Sequence, residues 1–232
     1  EMTSSLVGSE MCIRDSDYTW LMDDDTIPSS TALEELVKVT LLDENVGFVC
    51  SQVNWTDGKP HAMNKACLIY KNGVQSKVEH NGVLGIHCNL ASFVSVLVNT
   101  KAVYQLGLPI KEFFIWCDDL EYTLRIANSY PCFYAPNSIV CHKTATNYSP
   151  SIDKAPANMA WRFYYSIRNS CYIKRKQVNR IVFFFSVLNK YRVCMVRLNR
   201  RPSKEGREEF IHAIKRGCWD GLSFNPKIEY LP

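Results

Sequence analysis

Three consecutive carboxylates, Asp23, Asp24 and Asp25, directly follow the short apolar segment 18–22. The apolar segment predicts a buried strand, and in open α/β sheets ligands bind beside the carboxyl ends of the strands. Adjacent carboxylates repel one another and are costly to hold together without a cation. Such oxygen ligands suit Mg²⁺ or Mn²⁺. The alternative is a solvated acidic turn, because Ile-Pro-Ser-Ser at 27–30 is also a good helix start.

The first residues are expected not to belong to the protein. Residues 6–16 resemble the translated end sequence of a transposase adapter used to prepare sequencing libraries, and the alternative is a natural polar N-terminus. We therefore expect residues 1–16 to be an artefact without ordered structure and exclude them from the fold prediction. The protein then enters at Asp17, inside a domain. The segment lacks the apolar core of a signal peptide.

Length and cysteine usage bound the class of protein. The remaining residues suffice for one α/β domain, predicted at 17–155, followed by a basic helical region at 156–232. The cysteines beyond residue 16 are scattered and form no CxxC pair. This spacing argues against a zinc ribbon or a disulfide framework and indicates a reducing compartment.

Charge is distributed unevenly along the chain. Residues 161–232 hold 16 Lys/Arg and 5 Asp/Glu (+11), whereas residues 1–160 hold 11 and 18 (−7). A basic C-terminal region suggests contact with phosphates, on lipid or on nucleic acid. The alternative is an ordinary solvated helix face.

Periodicity predicts the secondary structure. Strands are expected at 18–22, 46–55, 93–98, 132–134 and 139–141, with irregular structure at 58–90. The first helix is expected after Ser29 or Ser30. Further helices are expected at 100–106, 118–128 and 156–176, followed by a helix that ends at about 198 and another at 204–216. The first of these helices is predicted to bury one face, formed by Leu33, Leu36, Val37 and Leu41. The apolar segment 181–188 is too short to span a bilayer.

A second acidic cluster opens the helix predicted at 118–128. Asp118, Asp119 and Glu121 follow Trp116, and Glu121 is spaced for an ion pair with Arg125. A carboxylate on a rigid helix N-terminus can serve as a general base, with its neighbours as support. The alternative is that the helix dipole simply favours acidic residues in a first turn.

Two later signals concern a histidine and an aromatic helix. His142 closes an apolar strand, a position that is more often structural, and it gains interest from the preceding acids because imidazole suits Mn²⁺ better than Mg²⁺. Further on, one helix face carries aromatic rings and a guanidinium that could bind a sugar or phosphate, or could face the core. Its members are Trp161, Tyr164, Tyr165 and Arg168.

The order of these motifs resembles the family 2 glycosyltransferases of GT-A fold, and most closely the bacterial galactofuranosyl- and rhamnosyltransferase-like members. The resemblance rests on strand–DDD, DDxEYxxR, a later histidine and YYxxRN, and it covers nearly everything from Asp17 onward. It implies an incomplete, Rossmann-like α/β domain with a C-terminal helical region. The family's N-terminal strands, which bind the nucleotide, are expected to be missing, which puts activity of this chain in doubt.

The resemblance also implies roles for individual residues. Asp23, Asp25 and His142 would bind Mn²⁺ or Mg²⁺, and Asp119 would be the base, supported by Asp118, Glu121, Arg125 and Trp116. Contacts with the donor diphosphate or the acceptor are expected from Asp24, Ser92, Tyr165 and Arg168.

The implied reaction is a metal-dependent, inverting hexosyl transfer in bacterial cell-wall polysaccharide biosynthesis. The first expectation for the donor is UDP-galactofuranose and the next is a dTDP-rhamnose, with a glycan or polyprenyl-linked acceptor. The protein is expected in the cytoplasm, with its basic helices in peripheral contact with the inner face of the plasma membrane.

Other classes of function stay open from the sequence. The chain could be an inactive fragment or a carbohydrate-binding or scaffold protein. A nucleic-acid-binding module is less favoured, and no nucleic-acid partner is expected, because no recognised motif of that kind appears.

Overall fold

A computed structural model of the chain describes residues 16–231, so the expected artefact lies, apart from Ser16, outside the described residues. The chain divides into two compact units. The first, here called the sheet unit, comprises the described residues up to 108, residues 122–148 and the last residues from 229. The second, the helical unit, comprises residues 109–121 and 149–228.

The sheet unit is built on an eight-stranded mixed sheet, counted over the described residues. Its main path runs β1-β9-β3-β10-β8-β4, with β2 added beside β10 and β7 beside β8, while β5 and β6 form a separate hairpin. The strands are β1 Tyr18–Leu21, β2 Thr26–Pro28, β3 Phe48–Asn54, β4 Cys67–Leu68, β5 Tyr70–Lys71, β6 Val74–Gln75, β7 Lys77–His80, β8 Val83–Leu90, β9 Val96–Asn99 and β10 Cys132–His142.

Strand β10 organises this sheet. It runs parallel to β3, whereas the other pairings between the described strands are antiparallel. Its register shifts between Ala135 and Ile139, which marks a bulge. Before the bulge β10 also pairs with β8, and after it with β2. The bulge therefore lets one long strand change neighbours and end beside β2.

Alternation along β3 divides the core of the sheet unit into two layers. Phe48 and Cys50 pack on one side with Tyr122 and Ile126, while Val49 lies in the other layer. That second layer includes Leu36 and Val39 of helix α1 Ala32–Thr40. The division follows from the two-residue period of a strand.

A chain of buried hydroxyls links β1 to the centre of the sheet. The indole Nε1 of Trp20 donates to Ser95 Oγ at 3.0 Å, and Ser51 Oγ lies 2.7 Å from Ser95 Oγ and 2.8 Å from Ser138 Oγ. Ser138 Oγ in turn donates to the carbonyl of Ala32 at 2.8 Å. Because buried polar groups need such partners, this chain fixes β1 directly before the acidic triplet.

Two further helices follow the sheet strands. Helix α2 Thr100–Leu106 is capped by the side chain of Asn99, which accepts from the Lys101 amide, and it ends at Gly107 as predicted. Helix α3 Asp118–Ala127 has three acidic residues in its first turn. Its first residues belong to the helical unit and its later residues to the sheet unit.

The helical unit contains α4 Ala160–Gln177, α5 Arg180–Asn199 and α6 Arg207–Gly221. Its core includes Phe163, Ile167 and Cys171 of α4, spaced four residues apart on one helix face. Phe210 and Ile214 of α6 join the same cluster. The prediction of an α/β fold followed by a C-terminal helical region is confirmed.

Two predictions about the strands are wrong. Residues 58–90 are not irregular, because they contain β4 to β8. The signal was present in two Asn-Gly pairs, Asn72-Gly73 and Asn81-Gly82, whose residues all have positive φ and form the two-residue turns of hairpins. The strands expected at 132–134 and 139–141 are one strand, made continuous across its bulge by pairing with β3.

The predicted apolar face of α1 is also wrong. Leu33 and Leu41 are exposed, by 46% and 79%, and Val37 is exposed too, whereas Leu36 is buried. The buried face instead runs through Ala32, Leu36, Val39 and Thr40. The helix starts after Thr31 rather than after Ser29 or Ser30, and the small Ala32 lies against the sheet.

Candidate metal centre

The acidic triplet lies in a turn that connects β1 to β2. The backbone amide of Thr26 donates to the carbonyl of Asp23 at 3.1 Å and closes the turn. The amide of Lys143 donates to the carbonyl of Asp25 at 3.0 Å, and Thr26 pairs with His142 in the ladder between β2 and β10. Backbone pairing therefore brings the acidic turn against the end of β10.

Three of the predicted ligands meet at this point. Nε2 of His142 lies 3.0 Å from Oδ1 of Asp25 and 3.9 Å from Oδ2 of Asp23. One ligand atom from each residue lies within 4.8 Å of the others. The imidazole is buried, while the Asp23 and Asp25 side chains are 48% and 46% exposed. The cluster thus has a buried nitrogen side and a solvent-facing oxygen side.

Asn64 sets the orientation of the His142 ring. Its amide nitrogen donates to Ser92 Oγ at 2.7 Å, which turns its Oδ1 toward His142 Nδ1 at 3.0 Å. An amide oxygen only accepts, so Nδ1 donates to Asn64 and Nε2 is the ring atom that faces the two carboxylates. An outer amide or carbonyl that fixes the tautomer is typical of metal-bound histidines.

The donor set fits a divalent cation. Two carboxylate oxygens and the Nε2 nitrogen of His142 converge at this point, and a bound cation would offset the repulsion between the two carboxylates. Two carboxylates and one imidazole are ligands that suit Mn²⁺, and the open oxygen side leaves room for waters or phosphate oxygens. Asp23, Asp25 and His142 could therefore hold a divalent metal ion.

A second histidine, His61, lies beside the cluster but is engaged elsewhere. Its ring centroid is 4.9 Å from that of His142, its Nδ1 accepts from the Met63 amide at 3.3 Å, and its Nε2 lies 2.9 Å from Thr144 Oγ1. Burial lowers its pKa, and the neighbouring His142 lowers it further, against a smaller opposing effect of Asp25. His61 is therefore neutral near pH 7 and packs beside His142 at the edge of the cluster.

Of the other residues predicted at the donor or acceptor, two lie in the sheet unit. Ser92 binds Asn64 and so supports His142 through one intermediate. Asp24 is exposed in the same turn as the two acidic ligands. No local sequence signal pointed to His61 or Asn64, because both follow β3 in a stretch expected to be irregular.

The predicted base and its neighbours lie at the start of α3. Asp119 is half-buried and accepts from the Leu120 amide at 2.7 Å. Burial raises the pKa of the Asp118 carboxyl, opposed by hydrogen bonds from the backbone amides of Asp118 and Asp119. Just before the helix, Phe114, Trp116 and Cys117 have positive φ, a strained conformation for bulky residues.

Glu121 and Arg125 occupy later positions of the same helix. Glu121 is buried. The Arg125 guanidinium donates to the carbonyls of Leu106 and Leu108 and lies 5.1 Å from the Tyr122 ring. Arg125 thus ties α3 to the end of α2. Their role in support of a base stays a prediction.

Tyr165 and Arg168 lie in the helical unit. Arg168 is buried, donates to the carbonyl of Glu112 and to Oδ1 of Asn169, and stacks 3.9 Å from the Phe224 ring centroid. Because the guanidinium is engaged by Glu112 and Asn169, Arg168 has a role in positioning these segments of the helical unit. Tyr165 is half-buried beside Phe114 and lines an open cavity of about 1100 Å³ together with Trp161.

Comparison with known proteins adds little to this geometry. No family model matches the sequence, and no curated protein sequence matches it. Among solved structures, the chain is similar to GalNAc-T7 crystallised with UDP, GalNAc and Mn²⁺, at 10% sequence identity and a TM-score of 0.47. The match covers 91% of this chain but 40% of that one. A similarity at this level supports no conclusion about ligands or activity.

Proposed function

We propose that this protein is a metal-dependent glycosyltransferase that moves a sugar from a nucleoside diphosphate donor to a glycan acceptor. The observation that carries the proposal is the convergence of Asp23, Asp25 and the oriented imidazole of His142. By resemblance, Asp23 and Asp25 match the metal-binding acids of the family 2 pattern, and His142 matches the third metal ligand of its galactofuranosyltransferase-like members. A buried imidazole that an outer amide orients toward two carboxylates is typical of a metal-bound histidine.

Asp23, Asp25 and His142 would hold the metal, with Asp24 beside the donor diphosphate. A bound divalent ion would neutralise the charge that develops on the departing diphosphate. The two carboxylates would balance part of the ion's charge, and the Asn64 amide orients the His142 ring so that Nε2 faces those carboxylates. The protein's part is to present these ligands in a preformed arrangement.

Asp119 is our candidate for the base of an inverting displacement. It would take the proton of the acceptor hydroxyl as that oxygen attacks the anomeric carbon and the bond to the diphosphate breaks. Asp118 is the alternative, since burial raises the pKa of that carboxyl and a raised pKa favours proton uptake near neutral pH. Trp116, Glu121 and Arg125 would hold the helix that carries both acids.

The finer assignments rest on the family resemblance alone. UDP-galactofuranose is the first donor to test and dTDP-rhamnose the next, with a glycan or polyprenyl-linked glycan as acceptor. Bacterial cell-wall polysaccharide synthesis at the cytoplasmic face of the membrane would be the setting. Ser92, Tyr165 and Arg168 are kept as candidates near the donor or the acceptor.

The test is release of UDP or dTDP from these donors by the full chain, with and without Mn²⁺ or Mg²⁺. We expect metal-dependent release that falls at least a hundredfold in Asp25→Asn and in Asp119→Asn, in line with the loss of a metal ligand or a general base. Glu44→Gln, which removes an exposed acid of the sheet unit, is the matched control and should keep the full rate.

Two results would contradict the proposal in different ways. Turnover that survives Asp119→Asn but not Asp118→Asn moves the base by one residue. Absence of nucleotide release, together with saturable binding of an oligosaccharide, would instead favour a carbohydrate-binding protein without catalysis.

A further inference from the structure

The outer face of α5 exposes large apolar side chains. Ile181, Phe185 and Leu188 are 72%, 63% and 49% exposed, and Phe184 is 50% exposed. The opposite face of the helix is buried through Phe183, Val187, Cys194 and Leu198, so the exposed side chains are not the core side of this helix. Isolated apolar residues on a surface are ordinary, but four within eight residues form a patch.

The patch continues onto α6. Phe184 and Leu188 line an open groove of about 650 Å³ together with Trp219, which is 75% exposed. We call Ile181, Phe184, Phe185, Leu188 and Trp219 the aromatic face. Phenylalanine, leucine and tryptophan are the side chains that interfacial helices insert between lipid headgroups.

The two helices that carry the aromatic face are rich in basic residues. Helix α5 carries four basic and no acidic residues, at Arg180, Lys190, Arg192 and Arg197. Lys215 and Arg216 line the groove on α6, although Arg216 also pairs with Asp220 at 3.4 Å. An apolar face on helices with an excess of basic residues complements an anionic lipid surface, where each nearby basic residue adds to binding.

We propose that the aromatic face docks this protein onto an anionic lipid membrane, with α5 lying in the plane of the headgroups. None of the described helices is long and apolar enough to cross a bilayer. The apolar side chains would enter the boundary between headgroups and acyl chains, and Arg180, Arg192 and Lys215 would contact lipid phosphates. This inference does not depend on the metal centre or on sugar transfer.

Vesicle flotation of the full chain tests the inference. The probes are vesicles of phosphatidylcholine with about 30% phosphatidylglycerol, against phosphatidylcholine alone, at low and high salt. We expect binding to the anionic vesicles, weakened by salt, and at least a tenfold loss of partitioning for Phe184→Ser with Phe185→Ser, because binding scales with buried apolar area. Arg192→Gln with Lys215→Gln should weaken binding to anionic vesicles and reduce its dependence on salt.

The matched control removes exposed apolar side chains from the other unit. Leu33→Ser with Leu41→Ser on α1 deletes two exposed leucines and should leave flotation unchanged. The inference is overturned if this control loses as much vesicle binding as the phenylalanine variant, or if the wild-type chain does not float with anionic vesicles.

Two further outcomes would assign the face to another partner. A dimer in light scattering that Phe184→Ser with Phe185→Ser dissociates, without vesicle binding, assigns it to a second copy of the chain. Binding to labelled RNA that depends on Arg192 and Lys215 but not on the phenylalanines, again without vesicle binding, assigns the surface to nucleic acid.

Discussion

Asn169 holds the segment that leads into the acidic start of α3. It is fully buried, and its amide nitrogen donates to the carbonyls of Phe113 and Trp116, both at 2.9 Å, and more weakly to that of Ile115. Its oxygen accepts from Arg168. Because Phe114 and Trp116 have positive φ, this amide compensates for backbone strain directly before Asp118.

We expect Asn169→Ala to lower the free energy of unfolding by about 2–4 kcal/mol, because it leaves buried carbonyls and the Arg168 guanidinium without their partner. Urea denaturation measures the change. Asn189→Ala, on the exposed side of α5, is the control and should stay within about 0.5 kcal/mol of wild type. A loss below about 0.5 kcal/mol at Asn169 would show that water or the main chain replaces the amide.

Motif order pointed to the three side chains that converge in the candidate metal centre, but not to the residues that support them. Asp23, Asp25 and His142 meet as expected, because strand pairing joins the acidic turn to the end of β10. Asn64 was not predicted, since its contact with His142 joins residues 78 positions apart in the chain. An isolated asparagine in a polar stretch has no periodicity that could reveal such a contact.

Glycine sets how closely α4 and α6 approach each other. A Cβ added at Gly217 would lie 2.9 Å from the carbonyl oxygen of Tyr164 and 3.0 Å from Cβ of Ile167. A Cβ at Gly221 would lie 2.7 Å from Cβ of Cys171. The two glycines therefore let one helix lie directly against the other, which a larger side chain would prevent.

The Gly217→Ala substitution has two opposing effects on stability, one from helix propensity and one from packing. Alanine in a helix interior is favoured over glycine by about 1 kcal/mol, whereas overpacking a close contact costs about 1–3 kcal/mol. The new methyl group meets backbone, which cannot rotate away, so we expect a net loss of about 1–2 kcal/mol in thermal or urea unfolding. A net gain in stability would mean that α4 and α6 can separate slightly at no cost.

At the scale of elements, sequence signals succeeded where one local cause decides the structure. Gly107 ends α2, and the three C-terminal helices lie close to their predicted positions. The signals failed where packing against a neighbouring element determines which side chains are buried. Leu33 and Leu41 fit an apolar stripe as well as Leu36 does, but the sheet lies under Ala32 and Leu36, so their exposure depends on tertiary packing.

At the scale of the whole molecule, the candidate metal centre is a product of folding. Asp25 and His142 are 117 positions apart (142 − 25) and meet only when β2 pairs with β10. An unfolded chain does not hold this ligand set, so a metal that binds the folded site stabilises the fold by mass action. Metal binding can therefore be measured through stability, without knowledge of the donor sugar.

We expect Mn²⁺ to raise the midpoint of thermal unfolding of the full chain. At a concentration of about 100 times the dissociation constant, binding adds about 2.7 kcal/mol, which corresponds to a shift of several degrees in a chain of this length. Differential scanning calorimetry measures the shift, which should disappear in Asp25→Asn and in His142→Ala and shrink in Asn64→Ala. Asp57→Asn, which removes another acid of the sheet unit, should keep it. An equal shift in all variants would mean that Mn²⁺ binds outside this cluster and would overturn the assignment of Asp23, Asp25 and His142, the one group of three or more such side chains found among the described residues.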